Sequence, residues 1–145
     1  MNATSECIEV CNSLLRGEIS AVETYDQAIE KFREEPERPA LEGIRSDHQR
    51  SVGRLRQHLI DMGAEPSTDS GAWGSFAQAV EGTAKALGQS PALAALEQGE
   101  NHGIDEYEEA LRNSNVMEEI KIVIRQDLLP ALSSHVATLD RLRAR

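Results

Sequence analysis

An all-α four-helix bundle, built as two antiparallel helical hairpins joined by a long crossover that contains a short helix, is predicted by three observations. Apolar residues recur with helical period in four separate stretches of the chain. Proline, glycine and short polar runs break those stretches near residues 34–39, at Gly63 and at residues 112–115. The run LLRGEISAVETYDQAI at 14–29 also has a second copy, LEQGENHGIDEYEEAL, at 96–111. Leu14, Gly17, Glu18, Tyr25 and Ala28 match Leu96, Gly99, Glu100, Tyr107 and Ala110, so an internal repeat is read here.

The first helix is expected to start at Thr4 or Ser5, either of which can cap free amides, and to end near Glu34. Its stripe reads Ile8, Cys11, Leu14, Leu15, Val22, Tyr25, Ile29, Phe32, and Glu18 fills the gap in that series. Pro36 and Pro39 stop it, and the short connection returns the chain antiparallel. The second helix is expected from about Pro39 to Met62, with Gly63 as a left-handed cap and His48 among the apolar residues Leu41, Ile44, Val52, Leu55 and Leu59. Arg50, Arg54 and Arg56 are expected to complement the acidic side chains of the first helix in solvent.

Residues 63–90 have the length of a crossover that travels the bundle, with a short amphipathic helix carrying Trp73, Phe76 and Val80, and Trp73 as a packing plug. Ser90 and Pro91 are a cap and a first-turn proline for the third helix, whose stripe is Leu93, Leu96, Glu100, Ile104, Tyr107, Leu111. The fourth is expected over about Val116 to Arg143, with His135 in its stripe and Pro130 kinking the helix or freeing a carbonyl one turn earlier. Ser46, His48, Val52 and Leu55 match Ser133, His135, Leu139 and Leu142, so the repeated unit is a hairpin, 4–62 and 91–143, within a single domain of residues 1–145.

A formal charge of −10 and an aromatic content of 3% argue against a nucleic-acid surface, which needs a basic face. No signal-peptide pattern opens the chain and no run is long enough to span a bilayer, so a soluble, cytoplasmic protein without membrane contact is expected. Cys7 and Cys11, one turn apart, read as small core residues of a reducing compartment. His58 and His102 lie off the stripes and read as surface residues.

Each helix therefore contributes one core-facing polar residue: Glu18, His48, Glu100 and His135. Carboxylate and neutral imidazole from four helices are what a bundle-core metal site requires, and they suit iron, manganese or zinc. A full di-iron pattern also places a bridging glutamate three residues before each histidine. Those positions hold Arg45 and Leu132.

Gly-Glu followed seven residues later by Tyr, twice, with a core histidine in each partner helix, resembles the ferritin-like superfamily. The run 14–29, the LIDMGAEP at 59–66 and the run 96–111 resemble in particular a bacterial ferritin-like domain family of unknown function. The resemblance implies a ferritin-like four-helix bundle, terminal metal-ligand roles for Glu18, His48, Glu100 and His135, and hydrogen-bonding roles behind them for Tyr25 and Tyr107. It carries no bridging role onto Arg45 or Leu132. Arg45 is expected to turn inward and set its guanidinium beside Glu18 and Glu100 in place of a metal. Glu97, one turn before Glu100, reads as an exposed acid with a spare oxygen. Counting from the turns, Glu18 and His48 share a level, whereas His135 falls about one turn deeper than Glu100 unless the Pro130 region takes up the difference.

Three functions are in competition. The first is a non-enzymatic structural or interaction protein with a degenerate di-metal site and no cofactor. The second is a metal-binding ferritin-like protein that uses the core Glu and His residues for metal-dependent oxidation or oxygen chemistry. The third is a small-molecule or partner site under the crossover. Self-association accords with bundles of this superfamily, but no interface patch or protein partner is readable in the sequence.

Overall fold

The computed structural model describes residues 2–71 and 89–144. Four helical rods make the predicted bundle: α1 (Ala3–Lys31), α2 (Arg38–Asp61), α3 (Gln89–Arg112) and a fourth rod made of α4 (Glu118–Val123), a π-helical turn (Ile124–Leu128) and α5 (Leu129–Arg143). Among the described residues there is no strand. α1 packs along α2 and α3 along α5, and lighter contacts of α1 with α3 and of α2 with α5 close the bundle. Tyr25 of α1 meets Glu100 of α3, and Tyr107 meets Glu18, so α1 and α3 run in opposite directions. Asp61 and Gln89 consequently lie at opposite ends of the bundle. The predicted short helix and the Trp73 plug lie outside the described residues.

Helix ends follow local chemistry. α1 starts earlier than expected because Asn2, rather than Thr4 or Ser5, is the cap: its Oδ1 accepts from the Ser5 amide at 2.8 Å. α1 also ends earlier, at Lys31, in a series of tight turns before Pro36. At the end of α2, Gly63 takes φ 76°, Ala64 N–H reaches Leu59 O at 2.9 Å and Gly63 N–H reaches Ile60 O at 2.9 Å. That pair of bonds needs a left-handed residue, so the glycine is required there. Beyond it, Asn12 Oδ1 accepts from the Ser67 amide at 2.8 Å, and Arg16 donates to Ser67 Oγ at 3.0 Å, tying this loop back onto α1.

The fourth rod carries its irregularity in the turn just before Pro130, which stands in the first turn of α5. A π turn packs five residues where α geometry fits about four, so the rod gains a residue without gaining a turn of length. Together with the connection 113–117, this absorbs the level difference counted from the sequence. His135 Nδ1 sits 2.8 Å from Glu100 Oε1.

The interior is layered. One apolar cluster, around Cys7, Cys11, Leu15, Leu55, Leu59, Ile120 and Ile124, fills the end where α1 begins. A second, around Phe32, Leu41, Ile44, Leu93 and Leu139, fills the other end. Between them lie Glu18, His48, Glu100 and His135, each 3–5% exposed. No helix among the described residues is long and apolar enough to cross a membrane.

Candidate metal centre

The four polar residues predicted from the stripes face one another in the core, linked as a chain of alternating carboxylates and imidazoles. Glu18 Oε1 lies 2.5 Å from His48 Nδ1, and His48 Nε2 lies 2.7 Å from Glu100 Oε2. Glu100 Oε1 meets His135 Nδ1 at 2.8 Å, and His135 Nε2 meets Asp47 Oδ2 at 2.7 Å. The Tyr25 hydroxyl donates to Glu100 Oε2 at 2.9 Å, and the Tyr107 hydroxyl donates to Glu18 Oε2. Each tyrosine thus serves the glutamate of the other hairpin. The Tyr25 ring also stacks on His48, with centroids 5.5 Å apart.

Glu100 is the hub, accepting from Tyr25, His48 and His135, whereas Glu18 accepts from Tyr107 and His48. Burial alone would lower the pKa of His48, but Glu18 and Glu100 on its two nitrogens outweigh that and lift it to about 10. Burial alone would raise Glu100, yet His48 and then His135 pull it down to about 2. Both tyrosines are pushed well above their ordinary value, first by burial and then by the carboxylate each one meets. His48 is therefore held as an imidazolium between two carboxylates.

One ligand atom each from His48, Glu100 and His135 falls within 4.8 Å of the others, and all three residues are buried. Glu18 stands one histidine away from this group. Two nitrogens and an oxygen from three helices fit a single borderline cation such as zinc, iron or manganese. They do not fit a bridged pair of ions, because neither bridging position carries a carboxylate. Leu132 is buried against α3, where a Cβ on Gly103 would meet its Cδ1 at 2.9 Å. A cavity of about 50 Å³ between α1 and α3, bordered by Gly17, Ala21, Gly99 and Gly103, leaves room beside Glu18, His48 and Glu100 for a small ligand.

Arg45 does not enter the core. Its Nε pairs with Asp26 at the surface, where both groups keep water, because burying a guanidinium beside the cluster costs more than a solvated pair. No guanidinium stands in for a metal. Of the three α2 arginines expected to complement the acids of α1, two find partners elsewhere: Arg50 takes Asp47, and Arg54 takes Asp127 at 2.8 Å. Glu97 is largely covered rather than exposed, held by Arg143 at 2.9 Å. His102 is exposed as expected, and His58 is half-buried.

Asp47 is the site residue the sequence did not yield. It precedes His48, so helical rotation takes it off the apolar stripe, and only its contact with His135 from the other hairpin brings it into the chain. A carboxylate beside a stripe histidine, where the matched second-hairpin position holds Ser134, was the available signal.

A sequence profile described as a domain of unknown function (DUF2383) matches residues 6–113. No curated protein sequence matches the chain. A crystal structure described as ferritin-like, diiron-carboxylate proteins from Bacillus anthracis str. Ames is similar to it, with 25% identity, a TM-score of 0.79 and 99% of each chain covered.

Proposed function

This chain belongs to the family described as a domain of unknown function (DUF2383), and from that premise we propose that it binds one divalent transition-metal ion in its ferritin-like core. His48, Glu100 and His135 would hold the ion, with Glu18 as the adjoining carboxylate and residues 1–145 acting as one domain. The observation that carries the reading is the convergence of three buried ligand atoms within 4.8 Å. The relative named for its diiron-carboxylate centre supports a metal in this fold, while Arg45 and Leu132 restrict the reading to one ion. A bound ion of this kind supplies Lewis acidity and, for iron or manganese, electron transfer. The chain's own part is to exclude water and to hold the carboxylates through Tyr25 and Tyr107. Imidazole ligates only in its neutral form, so uptake displaces the proton that Glu18 and Glu100 hold on His48.

Adding ferrous iron, manganese or zinc to metal-free protein tests this by elemental analysis and melting temperature. One ion per chain is expected, with stabilisation of about 2.7 kcal/mol at a free concentration a hundred times Kd. Two ions per chain would point to a di-metal centre instead. No uptake would favour a second reading, a non-enzymatic bundle whose polar layer fixes helix register. That reading has its own support, since every ring nitrogen of His48 and His135 already meets a carboxylate oxygen.

A further inference from the structure

We propose that Asp47 is a positioning residue for His135: it retains the hydrogen on Nε2, so that Nδ1 is the nitrogen presented to Glu100 and the ligand cluster. The inference rests on the single-ion reading above. Both ring nitrogens of His135 meet carboxylate oxygens, Nδ1 facing Glu100 Oε1 at 2.8 Å on the cluster side and Nε2 facing Asp47 Oδ2 at 2.7 Å away from it; with Nδ1 given to an ion, the hydrogen left on the ring sits on Nε2, where Asp47 accepts it. Asp47 is itself held in place. Arg50, one turn on, occupies its Oδ1, leaving Oδ2 for the histidine. The acceptor comes from α2 and the histidine from α5, so the bond also sets how the two hairpins meet at the level of the cluster.

His48 has no comparable partner outside the cluster. Its two nitrogens face Glu18 and Glu100, both members of the polar layer, and nothing beyond them distinguishes one nitrogen from the other. In the second hairpin the position matching Asp47 is Ser134, which is exposed. The device therefore acts on one histidine of the pair. It is the arrangement in which a ligating imidazole donates its second N–H to a carboxylate, and loss of such a partner weakens metal binding about 10–100-fold.

The test uses the full chain, Zn²⁺ as the probe, and long-range ¹H–¹⁵N spectra of the imidazoles beside a zinc titration. In the wild type, His135 is expected to show a zinc-shifted Nδ1 and a protonated Nε2. Asp47→Ala should weaken zinc binding about 10–100-fold and give His135 a mixture of nitrogen environments. Asp47→Asn keeps an acceptor oxygen without the charge; it should preserve the His135 pattern and fall between the two in affinity, and it serves alone if the alanine variant does not fold. A purely structural Asp47 would alter melting temperature and leave the imidazole pattern unchanged, which overturns the inference while the single-ion reading stands. Failure of the wild type to take zinc overturns that reading and the inference together. An Asp47→Asn variant that binds zinc as tightly as wild type with His135 ligating through Nε2 would also overturn it.

Discussion

The hairpin α1–α2 and the hairpin of α3 with the fourth rod use matched residues but fill the matched bridging positions by opposite means. Position 45 carries a guanidinium that leaves the core for Asp26, whereas position 132 carries a leucine that stays in and presses on Gly103. The residue matching Gly103 is Ala21, which needs no such clearance because no side chain from position 45 comes inward. The histidines differ in the same way: His48 is enclosed by glutamates alone, while His135 is tied to the half-exposed Asp47. The difference shows two ways in which a position facing the polar layer goes without a carboxylate, one by turning to solvent and one by packing, and neither inserts a guanidinium there.

The largest expected effect separates the two glutamates. Glu100→Ala removes the acceptor for three buried donors and should cost about 3–5 kcal/mol in chemical denaturation, with Glu18→Ala costing less. Equal losses would refute the hub role of Glu100. The same network sets a pH response, to be read as melting temperature from pH 3 to 10 on metal-free protein. His48 is raised from 6.5 to about 10, so its contribution is complete below about 6.5 and fades as pH climbs toward 10. Glu100 is lowered from 4.5 to about 2, so its contribution is complete above about 4.5 and fades as pH falls toward 2. The expected profile has its plateau between those ordinary values, and both flanks should shrink in Glu100→Ala.

Packing gives the next contrast. Gly103→Ala drives a methyl into the end of the Leu132 side chain, about 1–3 kcal/mol of overpacking less the roughly 0.5–1 kcal/mol that alanine gains over glycine in a helix, whereas Ala21→Gly should cost only that roughly 0.5–1 kcal/mol. A Gly103→Ala variant more stable than the wild type would show that the leucine does not fill its position tightly. The smallest effect belongs to Arg45→Met, expected to cost less than about 1 kcal/mol because its partner is exposed. A loss of several kcal/mol would return Arg45 to the core.

Much of this was legible in the chain because helical period and core burial are the same fact seen twice. Glu18, His48, Glu100 and His135 stand on apolar stripes, and the bundle buries those stripes. Gly63 was legible for a similar reason, since one backbone conformation excludes nearly every other residue. Asp47 and Arg45 were not. Both sit at the border of the buried face, where flexible side chains choose between core and solvent according to which partner is in reach. The π turn was half legible: the level of His135 called for slack near Pro130, but no residue in IRQDL marks where it falls or what form it takes.

That turn makes part of the fourth rod tolerant of a change that is ruinous elsewhere in it. An α-helix rotates about 100° per residue, so removing one residue between Leu129 and Ser134 would swing His135 out of phase with Glu100. Removing one within Ile124–Leu128 would instead convert the wide turn to an ordinary one and leave the imidazole where it is. Shortening of this rod by one residue is thus expected to be tolerated only within these five residues.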